Sequence, residues 1–337
     1  TTKEVQTPGN NQAAAAATII QQVNPDVLVI NEITNNLQEG VSTDLNNVEA
    51  FIENYLKQPQ QDGLPGLDYP YIYFASSNTG VPSGFDLNND GKVDGTPGDD
   101  SYGDDAFGFG QYPGQYAMAL LSKYPIKEEQ VRTFRNFLWK DMPQNKIPEE
   151  YYSPEELEVL RLSSKSHWDI PVEIGEEIIH VLVAHPTPPV FDGPENRNGR
   201  RNHDEVRLIA DYISGSEYIY DDSGTSGGLP EGAKFVVMGD MNANPGEKDN
   251  YDAASLLLDH PLINSTVLPV SQGGIMKGTP YNTSSGLQID YVLPSTNLDL
   301  LGSAVFWPGV GPGALELTNS VRQASDHYLV WAEIGLP

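Results

Sequence analysis

Polar residues suited to phosphate chemistry stand beside two apolar, strand-like runs near the C-terminus. One run, 234–239, leads directly into Asp240 and Asn242, and the pair Asp326-His327 precedes the other. Side chains two positions apart on a strand point the same way, so Asp240 and Asn242 can converge on one ligand. A carboxylate, an amide and an Asp-His pair are groups that metal-assisted attack on a phosphate ester uses.

Three further polar residues accompany apolar runs. Glu32 ends one run. Because Mg²⁺ takes one or two protein carboxylates, this residue suffices to anchor the ion. Alternatively, Glu32 is simply the first solvated residue after the core. His185 ends another run ahead of prolines and suits general-acid or phosphate contact, unless it merely caps the turn. Asp290 lies inside a third run. A buried Asp needs a partner, which is either a backbone turn or His327, whose tautomer it would fix.

An acidic stretch has the spacing of a calcium loop, with a glycine where the sharp turn is needed. The candidate ligands are Asp86, Asn88, Asp90 and Asp94. The bidentate Glu expected at the loop's end is missing, since Pro97 stands there. The pattern predicts a structural Ca²⁺ that ties down a Gly-, Asp- and Asn-rich insertion at about 80–110, the alternative being a solvated acidic loop.

The charge balance bears on the substrate. The chain has 47 Asp and Glu against 19 Lys and Arg, a net charge of −28. Such a surface repels phosphate backbones and anionic membranes unless cations or a basic patch intervene, although solubility or adaptation to salt also explains it. Lys165 and Arg201 are candidate phosphate contacts, but the favoured interpretation is that the surface arginines pair with nearby acids.

The elements that must position these residues are strands separated by a few helices. A helix is predicted from Asn10, its cap, to Val23, and another over 203–213. Strands are predicted over 26–32, 115–122, 168–174, 177–184, 234–239, 288–293 and 328–334. Many strands with few helices predict two packed sheets with helices outside, in a single domain over 1–337. No apolar window reaches the length of a membrane span, and there are no cysteines.

Five short motifs, in chain order, resemble the motif series of the endonuclease/exonuclease/phosphatase superfamily. This group includes deoxyribonuclease I-like nucleases, sphingomyelinases and inositol phosphatases. The motifs are Asn31-Glu32, Ala184-His185, Gly239-Asp240-x-Asn242, Ile289-Asp290-Tyr-Val and Ser325-Asp326-His327. The resemblance spans residues 26–334. It implies a four-layered α/β sandwich, with two packed, mostly antiparallel β-sheets flanked by helices and a site at one mouth of the sheets.

The resemblance also implies roles for these residues. Glu32 would bind the divalent metal, and Asp326 would join it directly or through water. Asp240 and Asn242 would orient the attacking water and the phosphate. His327 would act as base or phosphate contact, and Asp290 would position it. His185 would act as acid or oxyanion stabiliser.

The predicted function is therefore hydrolysis of a phosphoester, small or lipid-linked, with Mg²⁺ or else Mn²⁺ or Ca²⁺. An extracellular nuclease is the alternative within this chemistry, and no obligate protein partner is evident. A bacterial secreted or periplasmic protein is expected, with any signal peptide absent or already removed.

The family normally opens with a strand that ends in an Asn at the site. Residues 1–9 are short and polar, and no such strand is predicted ahead of the helix from Asn10. Either upstream residues have been removed or that role is lost. A catalytically impaired, calcium-binding structural module on the same scaffold is therefore the alternative from another class.

Overall fold

The computed structural model describes residues 1–37, 46–93, 95–98, 100–273, 277–309 and 313–336, without the side chain of Asp100. Helices in this part of the chain are α1 (Thr2–Gln6), α2 (Asn11–Val23), α3 (Asn47–Phe51), α4 (Asp100–Asp104), α5 (Pro154–Leu157), α6 (Arg197–Ile213), α7 (Ser255–Leu258) and α8 (Ala314–Ala324). None of them has the length and apolar character that crossing a bilayer requires.

The strands supply the two inner layers of the molecule. They are β1 (Val27–Asn31), β2 (Tyr71–Tyr73), β3 (Met118–Ser122), β4 (Arg132–Thr133), β5 (His167–Ile174), β6 (Glu177–Ala184), β7 (Lys234–Asp240), β8 (Val270–Ser271), β9 (Asp290–Pro294), β10 (Asp299–Val305) and β11 (Val330–Gly335). Their ladders are a five-stranded sheet, β4-β5-β6-β7-β9, and two three-stranded sheets, β1-β3-β2 and β11-β10-β8. Pairing is antiparallel except between β6 and β7 and between β8 and β10.

Both three-stranded sheets pack on one face of the five-stranded sheet. Leu120 of β3 packs with Val181 of β6 in one buried cluster. Val236 of β7 is the register partner of Val181 and packs near Ile334 of β11. Residues directly opposite each other on neighbouring strands have their side chains on the same face of the sheet. The two three-stranded sheets therefore contact the same face of the five-stranded sheet.

Helices cover the outer faces. Helix α6 packs Val206 and Ile209 against Leu182 and Val237 on the other face of the five-stranded sheet. Helix α2 packs on β1 and β3, and its small alanines allow α8 to lie close beside it. The order helix, sheet, sheets, helix confirms the predicted four-layered α/β sandwich, except that the second inner layer consists of two ladders in the described chain.

The N-terminal segment folds as predicted from Asn10 onward. The Asn10 side chain accepts a hydrogen bond from the Ala13 amide at 3.0 Å, and α2 ends at Asn24 in a left-handed conformation. Ahead of it lies the short helix α1 rather than a strand. In the described sheets β1 and β11 are both edge strands, and each contacts the five-stranded sheet through β7 or β9.

Helix α6 begins at Arg197, earlier than the predicted start at His203. Its first turns, 197–202, are polar and lack the apolar periodicity that marks a helix in sequence. They are held by bonds to distant segments instead, since Arg201 donates to the carbonyls of Leu162 at 2.8 Å and Phe107 at 2.6 Å.

The 80–110 insertion is tied to the body at its base. Tyr102 donates to the Gly80 carbonyl at 2.8 Å, and Leu87 packs in the core under α6. In the acidic loop Asp86 Oδ2 accepts from the Gly91 amide at 2.8 Å, while Asp94 lies outside the described residues. Structural Ca²⁺ binding by this loop stays a prediction.

Candidate active site at the ends of β6, β7 and β9

A buried and a half-buried carboxylate face each other across β7 and β9. Asp240 is the last residue of β7 and Asp290 the first of β9, and the antiparallel register makes them direct partners. Asp290 begins its strand rather than lying inside it, because the side chain of Asn282 accepts hydrogen bonds from the amides of Ile289 and Asp290. Sequence reasoning missed Asn282, which stands in a polar loop without a motif.

His327 joins this pair from the segment before β11. Its Nδ1 lies 2.8 Å from Asp290 Oδ2 and 4.0 Å from Asp240 Oδ2. One ligand atom from each of Asp240, Asp290 and His327 lies within 4.8 Å of the others. Three residues that are far apart in sequence therefore form one cluster at the end of the five-stranded sheet.

His185 approaches Asp240 from the end of β6. Its Nε2 lies 3.5 Å from Asp240 Oδ2, and the side chain is 3% exposed. Its Nδ1 is buried without a hydrogen-bond partner in the described part of the chain. Buried polar atoms without a partner are uncommon, and contact with a bound ligand or water is one of their ordinary explanations.

Close strand packing between β6 and β7 sets this distance. The backbone at Gly239 has a φ of +139°, and a Cβ there would lie 2.0 Å from the Ala184 carbonyl oxygen. Only glycine fits, because any side chain would push the two strands apart. Asn242 then adopts a left-handed φ of 48°, and its amide nitrogen Nδ2 donates to the Pro186 carbonyl at 3.1 Å.

Burial and mutual charge shift the pKa values of the cluster. Burial, with the neighbouring Asp290 charge, raises the pKa of Asp240 to about 8. Burial also raises the pKa of Asp290. For His327 burial alone lowers the pKa, but the bond to Asp290 and the surrounding carboxylates outweigh it and raise the pKa to about 9. Without a bound cation, the cluster therefore retains protons near neutral pH.

His185 behaves in the opposite way. Burial, helped by the positive charges of Lys165 and His327, lowers the pKa of His185 well below its ordinary value. Its imidazole is therefore neutral at pH 7, and the two histidines of the site differ in charge. Pairs of titratable groups with pKa values pushed apart are typical of acid-base sites.

The two predicted phosphate contacts, Lys165 and Arg201, both donate to backbone carbonyls. Lys165 is buried, its Nζ donates to the Pro186 carbonyl at 3.3 Å, and burial lowers its pKa against the attraction of Glu205 and Glu32. Arg201 donates to three backbone carbonyls, those of Leu162, Phe107 and Arg161, at 2.6–2.9 Å.

The two predicted metal carboxylates are exposed at the rim. Glu32 follows β1 with a left-handed φ of 63°, next to Asn31, whose buried Oδ1 has no hydrogen-bond partner among the described residues. The charge of Asp326 raises the pKa values of Asp290 and His327, which places it next to the cluster. Neither residue belongs to the tight three-residue group. Carboxylate and amide oxygens of this kind suit a hard cation such as Mg²⁺.

A second Asp-His pair lies on the same sheet, outside the site. His180 Nδ1 is 2.8 Å from Asp169 Oδ1, and Tyr212 of α6 donates to Asp169 Oδ2 at 2.7 Å. His180 precedes His185 by five residues of β6, which is roughly 16 Å of strand. This pair provides matched controls for variants of the site.

We expect another buried histidine, His167, to make stability depend on pH. Its Nε2 donates to the Glu205 carbonyl at 3.0 Å, and burial lowers its pKa to about 4. The unfolded chain, with a His pKa of about 6.5, binds more protons between these values. The contribution of His167 to stability should therefore fall by about 2 kcal/mol as pH drops from 6.5 to 4.5. Urea unfolding of wild type and His167→Gln checks this, and equal pH dependence in both would contradict it.

The chain is similar to a known protein family and to several solved structures. A family model described as "Endonuclease/Exonuclease/phosphatase family" matches residues 6–327. Among solved structures, an endonuclease/exonuclease/phosphatase family protein from Leptotrichia buccalis is 15% identical, with 96% of this chain and 93% of that chain covered and a TM-score of 0.52. A beta toxin from Staphylococcus aureus is 16% identical over 95% and 92%, with a TM-score of 0.45. No functionally curated protein matched the chain.

Proposed function

The chain belongs to the endonuclease/exonuclease/phosphatase family, and from that premise we propose that it hydrolyses phosphoester bonds with a divalent cation. Members of this family are generally hydrolases that act on phosphoesters. The observation that carries the proposal is the cluster of Asp240, Asp290 and His327, with neutral His185 on its other side.

Glu32 and Asp326 would hold the cation beside this cluster, where their exposed carboxylates meet water. A bound Mg²⁺ would polarise the phosphate and favour ionisation of a nearby water. Asp290 fixes Nδ1 of His327 and leaves its Nε2 for the reacting water or a phosphate oxygen. Asp240 lies between the two histidines, close enough to accept a proton or orient the water.

We propose a small or lipid-linked phosphodiester as the substrate rather than a nucleic acid. The net charge is −28, and the basic residues near the site have other partners. Arg197 forms an ion pair with Glu195, while Arg201 and Lys165 donate to backbone carbonyls. A nucleic-acid groove needs several cations directed at phosphates, and these residues are not arranged that way.

The test is hydrolysis of bis(p-nitrophenyl) phosphate with Mg²⁺, with EDTA as the control. We expect turnover that chelation abolishes and that changes little as salt rises from about 50 to 200 mM. Cleavage of DNA or RNA that falls steeply over the same range would favour the nuclease. No metal-dependent hydrolysis of any of these substrates would refute the enzyme and favour the calcium-binding structural module. The secreted location stays a prediction.

A further inference from the structure

One turn of α6 is bonded to the backbone of three segments that carry site residues. The residues that make these bonds are Asn202 and Glu205, and both side chains are fully buried. The segments lie before β5, after β6 and after β7, and they carry Lys165, His185 and Asn242. Neither Asn202 nor Glu205 belongs to a motif of the sequence.

Asn202 bridges the two loops that hold the reacting groups. Its Nδ2 lies 2.8 Å from the Thr187 carbonyl, 2.9 Å from the Met241 carbonyl and 3.3 Å from the Asn242 carbonyl. Its Oδ1 accepts from Asn250 Nδ2 at 2.8 Å, which fixes the orientation of the amide. The amide thereby links the segment after His185 to the segment after Asp240.

Glu205 holds the same region from the next turn of the helix. One carboxylate oxygen accepts from the Ser164 amide at 2.6 Å, and the other accepts from the Thr187 amide at 2.7 Å. Thr187 is therefore held twice, through its amide by Glu205 and through its carbonyl by Asn202. Bonds of backbone groups to a buried carboxylate are charge-assisted and strong.

We propose that Asn202 is a positioning residue, one that holds the loop after His185 against the loop after Asp240 without touching the substrate. The inference rests on the proposed phosphoester hydrolysis. The strands meet at Gly239 and Asn242 bonds the Pro186 carbonyl, but beyond these contacts the two loops are joined through the side chain of Asn202, which is bonded to both. Misplacement of a reacting group by about 1 Å can cost 100-fold in rate.

The experiment compares Asn202→Ala with Gln21→Ala. Both remove a buried side-chain amide that donates to three backbone carbonyls, but Gln21 lies on α2 and bonds the carbonyls of Tyr55, Leu56 and Gln58, away from the segments after β6 and β7. Hydrogen exchange followed by mass spectrometry reports on peptides covering 184–190 and 240–246. Bis(p-nitrophenyl) phosphate with Mg²⁺ reports on kcat and KM.

For Asn202→Ala we expect exchange about tenfold faster in both peptides. We also expect kcat about 10- to 100-fold lower, with KM changed less than about threefold. Gln21→Ala should show neither effect. Equal exchange in the two variants would overturn the proposal, as would equal kcat in an active wild type. If wild type hydrolyses nothing, the proposed function fails while the exchange result still decides the positioning role.

If Asn202→Ala does not fold, Asn202→Ser takes its place in the experiment, because a serine hydroxyl donates to one carbonyl at a time. Faster exchange in the same two peptides is then the expected result, and wild-type exchange there overturns the proposal.

Discussion

Replacing His327 with alanine is expected to lower kcat for bis(p-nitrophenyl) phosphate by about 10²- to 10⁴-fold, the range typical of a lost acid-base or phosphate-contact group. In the proposed mechanism His327 would meet the reacting atoms, because Asp290 occupies its Nδ1 at 2.8 Å and leaves Nε2 available. The loss should appear at saturating substrate, since it concerns the transition state rather than binding. Steady-state kinetics with Mg²⁺ measures it.

His180→Ala is the matched control for this variant. His180 also bonds a buried aspartate at 2.8 Å on the same sheet, but its pair lies outside the site. We expect His180→Ala to lower stability and to leave kcat within about threefold of wild type. Should both histidine variants lose activity equally, the effect would come from disturbed folding, and the assignment of His327 would be wrong.

Asp240→Asn is expected to lose activity and gain stability at the same time. The carboxylate lies between two histidines, 3.5 Å from His185 Nε2 and 4.0 Å from His327 Nδ1, so an amide there should cost about 10²- to 10⁴-fold in kcat. In metal-free buffer at pH 7 the free energy of unfolding of the variant should nevertheless exceed that of wild type by on the order of 2 kcal/mol.

The gain follows from the pKa of Asp240, raised to about 8 by burial and by the Asp290 charge. The unfolded carboxyl ionises near pH 4, so the folded state binds more protons between pH 4 and 8, and the contribution of Asp240 to stability is lost as pH rises through that window. An amide cannot ionise and escapes this loss. The charge of Asp240 also stabilises protonated His327, and the loss of this interaction in the variant offsets part of the gain.

Urea unfolding at pH 5 and pH 8, with EDTA and then with Mg²⁺, tests this. We expect the difference between variant and wild type to grow with pH in EDTA and to shrink with Mg²⁺, which stabilises the ionised cluster. Asp169→Asn, which removes a buried carboxylate paired with His180, should only destabilise. An Asp240→Asn protein less stable than wild type at pH 8 in EDTA would contradict the argument.

Much of the fold could be predicted from sequence because its signals are local. The cap at Asn10, the apolar runs of β1 and β7, and the hairpin of β5 and β6 depend on residues close in the chain. The family resemblance, carried by five motifs at strand ends, is confirmed over residues 6–327.

The parts that sequence could not predict depend on contacts between distant segments. The early start of α6, in a stretch without apolar periodicity, is supported by Arg201, which donates to the carbonyls of Leu162 and Phe107. The bridging role of Asn202 exists only once β6 and β7 are side by side. The same holds for Lys165, whose burial follows from packing and not from its neighbours in the chain.

The close approach at Gly239 has a consequence for how sequence variation in this protein should be interpreted. A Cβ at this position would lie 2.0 Å from the Ala184 carbonyl, so every substitution separates the strand of His185 from the strand of Asp240. In a deep mutational scan scored by activity, Gly239 should therefore rank with the acidic and imidazole residues, although it has no side chain to offer a substrate. Intolerance to substitution here would report the spacing of two strands and not a chemical step.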